Sequence, residues 1–324
     1  MQQRNSSRFP VPGFRACRSL ASGVGALLFS VGVFMPISAA SQGTVWQPPA
    51  DASPYVVPRT EQRQMQSEQG DTYQIMISWP DGEAPPEGFS VIYLLDGNAA
   101  FGTLTEISRR LTRPYGPDYK GLPAPLIVAI GYPGVSGIDR ERRTFDYTPP
   151  ASHYADAGGM RLGAKQGGAD QFLNFIEHTL KPAVESNYPV NREHQILMGH
   201  SFGGLFVLHA LFSRPQAFES YVAISPSIWW NDRHLLKEVQ RFAERQQQNP
   251  VQPRVQISLG ELEQGGRSQA PDGQQSAAEF LATQLRELPQ GALNVSFRVH
   301  SGETHGSVMP IALARALPQA LRKP

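Results

Sequence analysis

The sequence predicts an α/β domain with a mostly parallel central sheet and helices on both faces. From Tyr73 onward, short apolar segments alternate with longer segments of helical periodicity, which is typical of parallel sheets. Most of the short segments are almost continuously apolar, as strands are when both of their faces are covered. No internal repeat and no second compositional regime divides the chain, and its hydrophobic content of 40% is that of a globular protein. One domain is therefore expected.

The apolar segments are predicted to be strands, and the first of them differs from the rest. Tyr73–Trp79 alternates apolar and mixed positions, which favours a half-exposed outer strand. The other predicted strands are Ser90–Leu95, Leu126–Ile130, Gln195–Met198, Tyr221–Ile224, Val255–Leu259 and Leu293–Phe297. The predicted helices are Asp170–Val184, Phe202–Phe212, Leu235–Arg245, Ser276–Leu288 and Val308–Leu321.

Two long connections, Leu111–Pro125 and Tyr132–Gly168, follow predicted strands and are rich in Gly, Pro and charge. We expect both to be loops. In an open α/β sheet, ligands bind beyond the carboxyl ends of the strands, so these loops are candidates for ligand recognition. A solvated insertion is the alternative interpretation.

The first forty residues are interpreted as a secretory signal peptide. The stretch Leu20–Ala40 is apolar or small throughout and ends in Ser38-Ala39-Ala40, as a cleavage site does. Four arginines and no acidic residue precede it: Arg4, Arg8, Arg15 and Arg18. An uncleaved membrane anchor is the alternative, since a stretch of this length could span a bilayer. Residues 41–58, rich in Pro, Ala, Ser and Gln, are expected to form an N-terminal arm before a domain at 59–324.

Charge and cysteine content exclude several function classes. Without the leader the chain has 25 basic and 28 acidic residues, a net formal charge of about −3, which gives no general reason to bind nucleic acid. An anionic partner would have to be held by local arginines. The single cysteine, Cys17, lies in the leader, so a disulfide framework and a cysteine-rich metal site are both excluded.

The motif Gly199-His200-Ser201-Phe202-Gly203 is the strongest local indication of chemistry. It matches G-x-S-x-G, follows a predicted strand and opens a predicted helix, which is the context that a nucleophile elbow requires. The glycines keep side chains away from the neighbouring backbone of a tight turn. Ser201 is therefore the predicted nucleophile. The amide of Phe202 is expected to point to the position where an oxyanion forms.

A serine nucleophile needs a base, and the base is oriented by an acid. His305 lies after the last predicted strand and before the last helix, from where its imidazole can reach the elbow; His300 and His234 are weaker candidates. In this fold class the acid precedes the histidine and follows the preceding strand. Either Glu263 or Glu261 fits, with Glu263 favoured, and a serine–histidine dyad is the remaining option.

The second oxyanion donor is expected in the loop after the strand Ser90–Leu95. The candidate is the amide of Asn98, because Gly97 lets the backbone approach closely. Asp96 could pass for a catalytic acid. It precedes Ser201, however, so a loop-stabilising Asx role is the expectation.

Several longer motifs resemble the “Putative esterase” family of α/β hydrolases, and within it most closely the exported ferric-enterobactin and salmochelin trilactone esterases. The resemblance covers residues 60–321. The motifs are Leu94-Leu-Asp-Gly-Asn-Ala-Ala-Phe101, Gly131-Tyr-Pro133, Arg142-Arg-Thr-Phe-Asp-Tyr-Thr-Pro149, Gly167-Gly-Ala-Asp-Gln-Phe172, Gly199-His-Ser-Phe-Gly-Gly204, Ser225-Pro-Ser-Ile-Trp-Trp230 and Gly302-Glu-Thr-His-Gly306.

The resemblance implies an α/β-hydrolase fold and a periplasmic enzyme that hydrolyses the serine trilactone of a tricatecholate siderophore, with no cofactor and no metal of its own. It also implies that Arg142 and Arg143 orient the anionic catecholates; an ion pair with Asp146 or Glu141 is the alternative for this arginine pair. Trp229 and Trp230 are candidates to pack on catechol rings, although two adjacent side chains cannot both face the pocket. A general exported carboxylesterase or acyltransferase is the alternative function, and a binding protein on an inactive hydrolase scaffold is the third.

Overall fold

A computed structural model describes residues 47–113, 121–157, 162–265, 268–288 and 293–322. The chain divides into two units, residues 1–55 and 56–324. In the first unit, residues 47–55 are exposed and contain neither helix nor strand. The predicted signal peptide, residues 1–40, lies outside the described residues. The division into leader, arm and domain therefore stays a prediction.

In the described residues of the second unit, eight strands form one sheet in the order β1-β2-β4-β3-β5-β6-β7-β8. Strand β2 pairs antiparallel with β1 and with β4, and the remaining neighbours pair in parallel. The bounds are Thr60–Gln66 (β1), Thr72–Ser78 (β2), Phe89–Leu94 (β3), Leu126–Gly131 (β4), Val190–His200 (β5), Ser220–Ile224 (β6), Arg254–Gly260 (β7) and Asn294–His300 (β8). The predicted mostly parallel sheet is confirmed.

Eight α-helices connect or cover these strands in the described residues. They are Gly97–Leu111 (α1), Arg140–Tyr147 (α2), Ala169–Phe175 (α3), Lys181–Asn187 (α4), Phe202–Ser213 (α5), Trp230–Gln248 (α6), Ala277–Arg286 (α7) and Val308–Leu321 (α8). A π-helical turn at Ile176–Leu180 joins α3 to α4, and a 3₁₀ turn follows β7 at Glu261–Glu263. Among the helices of the described residues, none is both long and apolar enough to cross a bilayer.

The core has one layer on each face of the sheet. Helices α1 and α8 cover one face, where Leu104 and Leu317 pack against strand residues such as Ile92 and Met198. Helices α2, α3, α5, α6 and α7 cover the other face. Every residue of β3 and β4 is buried, because both layers exclude water from the same strands. This two-sided burial explains the continuous apolar runs in the sequence.

Three elements were not predicted from the sequence. Strand β1 is polar at all positions but Met65, and the backbone pairing with β2 holds it in place. Helix α1 begins at Gly97, directly after β3, where a loop was expected. The connection Tyr132–Gly168, expected to be a loop, contains α2, whose N-cap Asp139 accepts a hydrogen bond from Arg142 N at 3.0 Å.

Candidate active site

Ser201 lies on a strained turn between β5 and α5. Its φ of 61° and ψ of −118° lie in a region that L-residues seldom adopt. Its amide donates to Ile224 O at 2.9 Å, which ties the turn to the end of β6. A Cβ on Gly199 would lie 2.4 Å from Gly203 O, so the tight crossing of strand and helix requires glycine there. The structure therefore has the strand–turn–helix geometry of a nucleophile elbow.

His305 and Glu263 lie in line with this serine. His305 Nε2 is 3.0 Å from Ser201 Oγ, and His305 Nδ1 is 2.6 Å from Glu263 Oε2. The side chain of Glu263 is 8% exposed and that of His305 51% exposed. The acid is thus shielded while the imidazole faces solvent, so the arrangement can transfer a proton between Ser201 and a bound substrate.

Glu263 is held by more than the histidine. Its Oε1 accepts from Gly260 N and from Ser225 Oγ, each at 2.6 Å. Burial opposes ionisation of this carboxyl, but the hydrogen bonds from His305, Ser225 and Gly260 outweigh it and lower the pKa of Glu263. Glu263 therefore remains an anion, which fixes the imidazole with a proton on Nδ1.

The residues considered as alternative acid or base do not contact Ser201 or His305 through their side chains. Glu261 Oε2 accepts from Ser301 Oγ at 2.7 Å and from Gly302 N at 2.8 Å, so this carboxylate holds the turn before His305. His300 is buried at the end of β8, and His234 lies 3.7 Å from Glu238 on α6. Of the three histidines considered as the base, His305 is the one that the structure brings to Ser201.

The two predicted oxyanion donors lie in the first turns of α5 and α1, where backbone N–H groups have no intrahelical acceptor. Asn98 is held tightly by its own side chain. Its Nδ2 donates to Tyr132 O at 3.0 Å and Val135 O at 2.8 Å, and its Oδ1 accepts from Tyr132 N at 2.7 Å. A Cβ on Gly131 would lie 2.0 Å from Asn98 Oδ1, so glycine at 131 makes room for this clamp.

Arg143 does not face the substrate side, contrary to the prediction, and its ion-pair partner is neither Asp146 nor Glu141. The residue is 7% exposed, and its guanidinium binds Asp96 through Nε–Oδ1 at 2.8 Å and Nη2–Oδ2 at 2.9 Å. The Asx role expected for Asp96 is likewise wrong, because its carboxylate binds this guanidinium. The cause is α2, which turns Arg143 toward the sheet.

Arg142 lies half-buried on the outer side of α2. Its guanidinium carbon is 4.7 Å from the ring centroid of Tyr132 and 5.1 Å from that of Tyr73. Its Nη1 donates to Thr72 O at 2.5 Å, and its Nη2 is 4.0 Å from Asp71 Oδ1. Its side chain is 29% exposed, so Arg142 is the member of the pair that an anionic ligand can reach.

The two tryptophans also differ. Trp230 is 1% exposed and donates from Nε1 to Gln166 Oε1 at 2.7 Å, so the substrate contact predicted for it is wrong: it is a buried anchor. The ring of Trp229 lies 5.8 Å from that of Phe202. Trp229 also lines a cavity of about 50 Å³ together with His305 and Glu263, so it remains the tryptophan that can contact a substrate.

Two site residues were not predicted from the sequence. Ser225, in a left-handed conformation (φ 43°), donates to Glu263; its position directly after the strand Tyr221–Ile224 was the available signal. The imidazole of His200 is 2.8 Å from His305 O through Nε2, and burial together with the nearby His305 lowers its pKa to about 4. The neutral ring of His200 therefore donates to the backbone of His305.

The resemblance of the motifs implied an enzyme without a metal ion of its own. Within the residues that the structure describes, no group of three or more His, Cys, Asp or Glu side chains is arranged to hold such an ion.

Comparison with known proteins decides the family. Residues 67–305 match the family described as “Putative esterase”. The chain belongs to this family. It is a hydrolase, as the resemblance of its motifs implied.

Relatives and solved structures agree with this assignment. The chain is 38% identical over 270 residues to the ferri-bacillibactin esterase BesA of Bacillus subtilis, covering 82% of this chain and 91% of the relative. It is 37% identical over 287 residues to the siderophore triacetylfusarinine C esterase of Aspergillus fumigatus, covering 82% and 94%. The enterobactin and salmochelin hydrolase IroE superposes with a TM-score of 0.62 at 25% identity, over 82% of this chain and 95% of that one. The predicted α/β-hydrolase fold is confirmed.

Proposed function

We propose that this hydrolase is an exported serine esterase that opens the ester bonds of a catecholate siderophore such as ferric enterobactin and so releases its iron. The observation that carries the proposal is the continuous chain of short contacts from Ser201 Oγ through His305 to Glu263, at 3.0 and 2.6 Å. The iron is part of the substrate. All proton transfers and charge stabilisation come from groups of the protein.

In the proposed mechanism, His305 accepts the proton of Ser201 as its oxygen attacks an ester carbonyl. The amides of Phe202 and Asn98 stabilise the tetrahedral oxyanion, and one such donor typically contributes about 3 kcal/mol to lowering the barrier. His305 then returns the proton to the leaving alcohol, and an acyl-enzyme on Ser201 remains. Water activated by the same imidazole releases the opened chain.

The surroundings of Ser201 support a bulky substrate. Leu262, a large apolar side chain between the two glutamates of the turn that carries Glu263, is 67% exposed. Arg142 offers a reachable cation and Trp229 an aromatic face, which match an anionic aromatic ligand. The three relatives are named for siderophore substrates, although these substrates differ among them.

The test compares hydrolysis of ferric enterobactin with hydrolysis of a p-nitrophenyl ester by the same preparation. We expect a higher kcat/KM for the siderophore, mass-spectrometric detection of opened products, and loss of both activities in Ser201→Ala. A kcat/KM no better for the siderophore would instead favour the general carboxylesterase. Undiminished iron release by Ser201→Ala would favour a binding protein.

We also propose a periplasmic location after cleavage near Ala40. Mass spectrometry of the N-terminus of the protein from a periplasmic fraction is expected to find a chain that begins near residue 41. A chain that retains residues 1–40 and sediments with membranes would support the anchor instead.

A further inference from the structure

Arg143 contacts both backbone segments that carry the predicted oxyanion donors, although it is only 7% exposed. The residue is buried on α2. Its bidentate ion pair with Asp96 connects it to the segment directly after β3. A third contact, with the carbonyl of His200, connects it to the nucleophile elbow. The proposed mechanism gives this guanidinium no role.

The first segment is the beginning of α1. Asp96 is the N-cap residue of this helix and has the left-handed conformation φ 52°, ψ 44°. Its carbonyl accepts from Ala99 N at 2.9 Å and from Ala100 N at 3.1 Å, and its own N–H donates to Tyr147 OH at 3.0 Å. Because Asn98 lies two residues beyond Asp96, the ion pair with Arg143 fixes the turn that presents the Asn98 amide.

The second segment is the elbow. Arg143 Nη2 lies 3.4 Å from His200 O, the carbonyl directly before Ser201. The guanidinium carbon is 5.3 Å from the ring centroid of Phe202. A Cβ on Gly203 would lie 3.5 Å from Asp96 Oδ2, so the first turn of α5 packs directly on the ion pair.

We propose that Arg143 is a positioning residue that fixes the separation and orientation of the Asn98 and Phe202 amides. The inference rests on the proposed serine-esterase mechanism, in which these amides bind the oxyanion. Oxyanion donors stabilise the transition state only when they are held in place before the reaction begins, and a displacement of about 1 Å can cost 100-fold in rate. A planar guanidinium can bind the carboxylate with two parallel bonds and still reach the carbonyl. A lysine ammonium cannot reproduce this fork.

The chain provides a matched control in a second buried ion pair of the same geometry. Arg254, the first residue of β7, binds Glu219 through Nε–Oε1 at 2.6 Å and Nη2–Oε2 at 2.8 Å. It is 8% exposed, comparable to Arg143. It lies at the opposite edge of the sheet from Ser201, since Arg254 pairs with Ser220 at the start of β6.

The experiment measures Arg143→Lys, Arg143→Met and Arg254→Met for kcat and KM on p-nitrophenyl acetate, for the inhibition constant of phenylboronic acid, and for Tm. The boronic acid forms a tetrahedral adduct on a serine nucleophile and so reports on the oxyanion donors. We expect both Arg143 variants to lower kcat 10- to 100-fold with little change in KM. Boronate affinity should fall by a similar factor. Arg254→Met should lower Tm but keep kcat and boronate affinity.

Wild-type kcat and boronate affinity in Arg143→Lys, with only Tm lowered, would overturn the proposal. An equal loss of kcat in Arg254→Met would do the same, because the effect would then be general destabilisation. If Arg143→Met does not fold, Arg143→Lys carries the test. Failure of the wild type to cleave ferric enterobactin, with p-nitrophenyl acetate cleaved, refutes the substrate but not this inference. If hydrolysis of p-nitrophenyl acetate does not depend on Ser201, both proposals fail.

Discussion

Two glutamates separated by a single residue have different roles in the same turn. The 3₁₀ turn after β7 directs Glu263 toward Ser225 and His305 and directs Glu261 toward the turn at Ser301 and Gly302. Both carboxyls have a lowered pKa: hydrogen bonds from Ser301 and Gly302 lower that of Glu261, and hydrogen bonds that outweigh burial lower that of Glu263. A lowered pKa therefore does not distinguish them, whereas contact with the imidazole does.

Replacement of each glutamate by glutamine tests this difference. In Glu263→Gln we expect kcat to fall about 10²- to 10⁴-fold, because the neutral amide no longer holds the imidazole with its proton on Nδ1 or stabilises the imidazolium. Glu261→Gln, the matched control, should keep kcat within a few-fold, since it alters only the 301–302 turn. Steady-state kinetics on a p-nitrophenyl ester measures both. Equal activity of Glu263→Gln and wild type would favour the dyad.

At this scale the sequence predicts residues whose role follows from chain order. Ser201, His305 and Glu263 each follow a strand end, and strand ends of a parallel sheet meet at one edge. The sequence does not predict which of two adjacent residues has its side chain buried in the protein. The sequence does not distinguish Arg142 from Arg143; helix α2 buries Arg143 and leaves Arg142 half-buried. Trp229 and Trp230 present the same ambiguity.

At the scale of elements, His209 joins three helices. It lies on α5, its Nε2 is 2.9 Å from Asp170 Oδ1 on α3, and its Nδ1 is 3.1 Å from Glu238 Oε2 on α6. Burial lowers its pKa, but hydrogen bonds to both carboxylates outweigh it and raise the pKa of His209 to about 9. With a carboxylate at each ring nitrogen, the imidazole is charged and donates from both.

This pairing predicts a pH-dependent stability. The folded pKa of His209 exceeds the ordinary histidine value of about 6.5, so the stabilisation is complete below pH 6.5 and is lost as the pH rises through about 9. His209→Gln should destabilise the protein at pH 6 by about 1–2 kcal/mol, since Glu238, with a side chain 14% exposed, and Asp170, with a side chain 50% exposed, lose their shared cation. It should differ less from wild type at pH 9.5. Thermal unfolding between pH 6 and 9.5 measures this.

The comparison with wild type matters because another group titrates in this range. Burial raises the pKa of Asp146 to about 7, against hydrogen bonds from Tyr132 and Tyr73 that lower it. Wild type and variant both lose stability as this carboxyl ionises. His178→Gln, at an exposed histidine of the π-helical turn, is the control. A difference between wild type and His209→Gln that stays constant with pH would contradict the prediction.

Two of the three elements that the sequence left unpredicted, β1 and α2, lack an apolar pattern of their own. Strand β1 is stabilised by the backbone of β2, and α2 is a short helix with a strongly polar sequence. Tertiary contacts form these elements, so local periodicity carries little information about them. Predicted strands such as β3 and β4 are apolar runs because they are covered on both faces.

At the scale of the whole molecule, an anionic substrate would meet a protein with little attractive charge. The chain without its leader has a net formal charge of about −3, counted over residues 41–324. Fields of scattered charges are screened beyond about 8 Å at physiological salt. Recognition of a trianionic ferric siderophore would therefore depend on a cation within contact distance.

Arg142 is the cation that we propose for this role, and its replacement separates local from global electrostatics. We expect Arg142→Gln to raise KM for ferric enterobactin about 10-fold, as loss of one charge-assisted contact does. KM for a neutral p-nitrophenyl ester should stay unchanged. Arg192→Gln, at a side chain 75% exposed and paired with Glu185, removes the same net charge. If net charge governed binding, both variants would raise KM for the siderophore equally. Because salt screens the field of the net charge, we expect only Arg142→Gln to raise this KM. Added salt should narrow the difference in KM between Arg142→Gln and wild type.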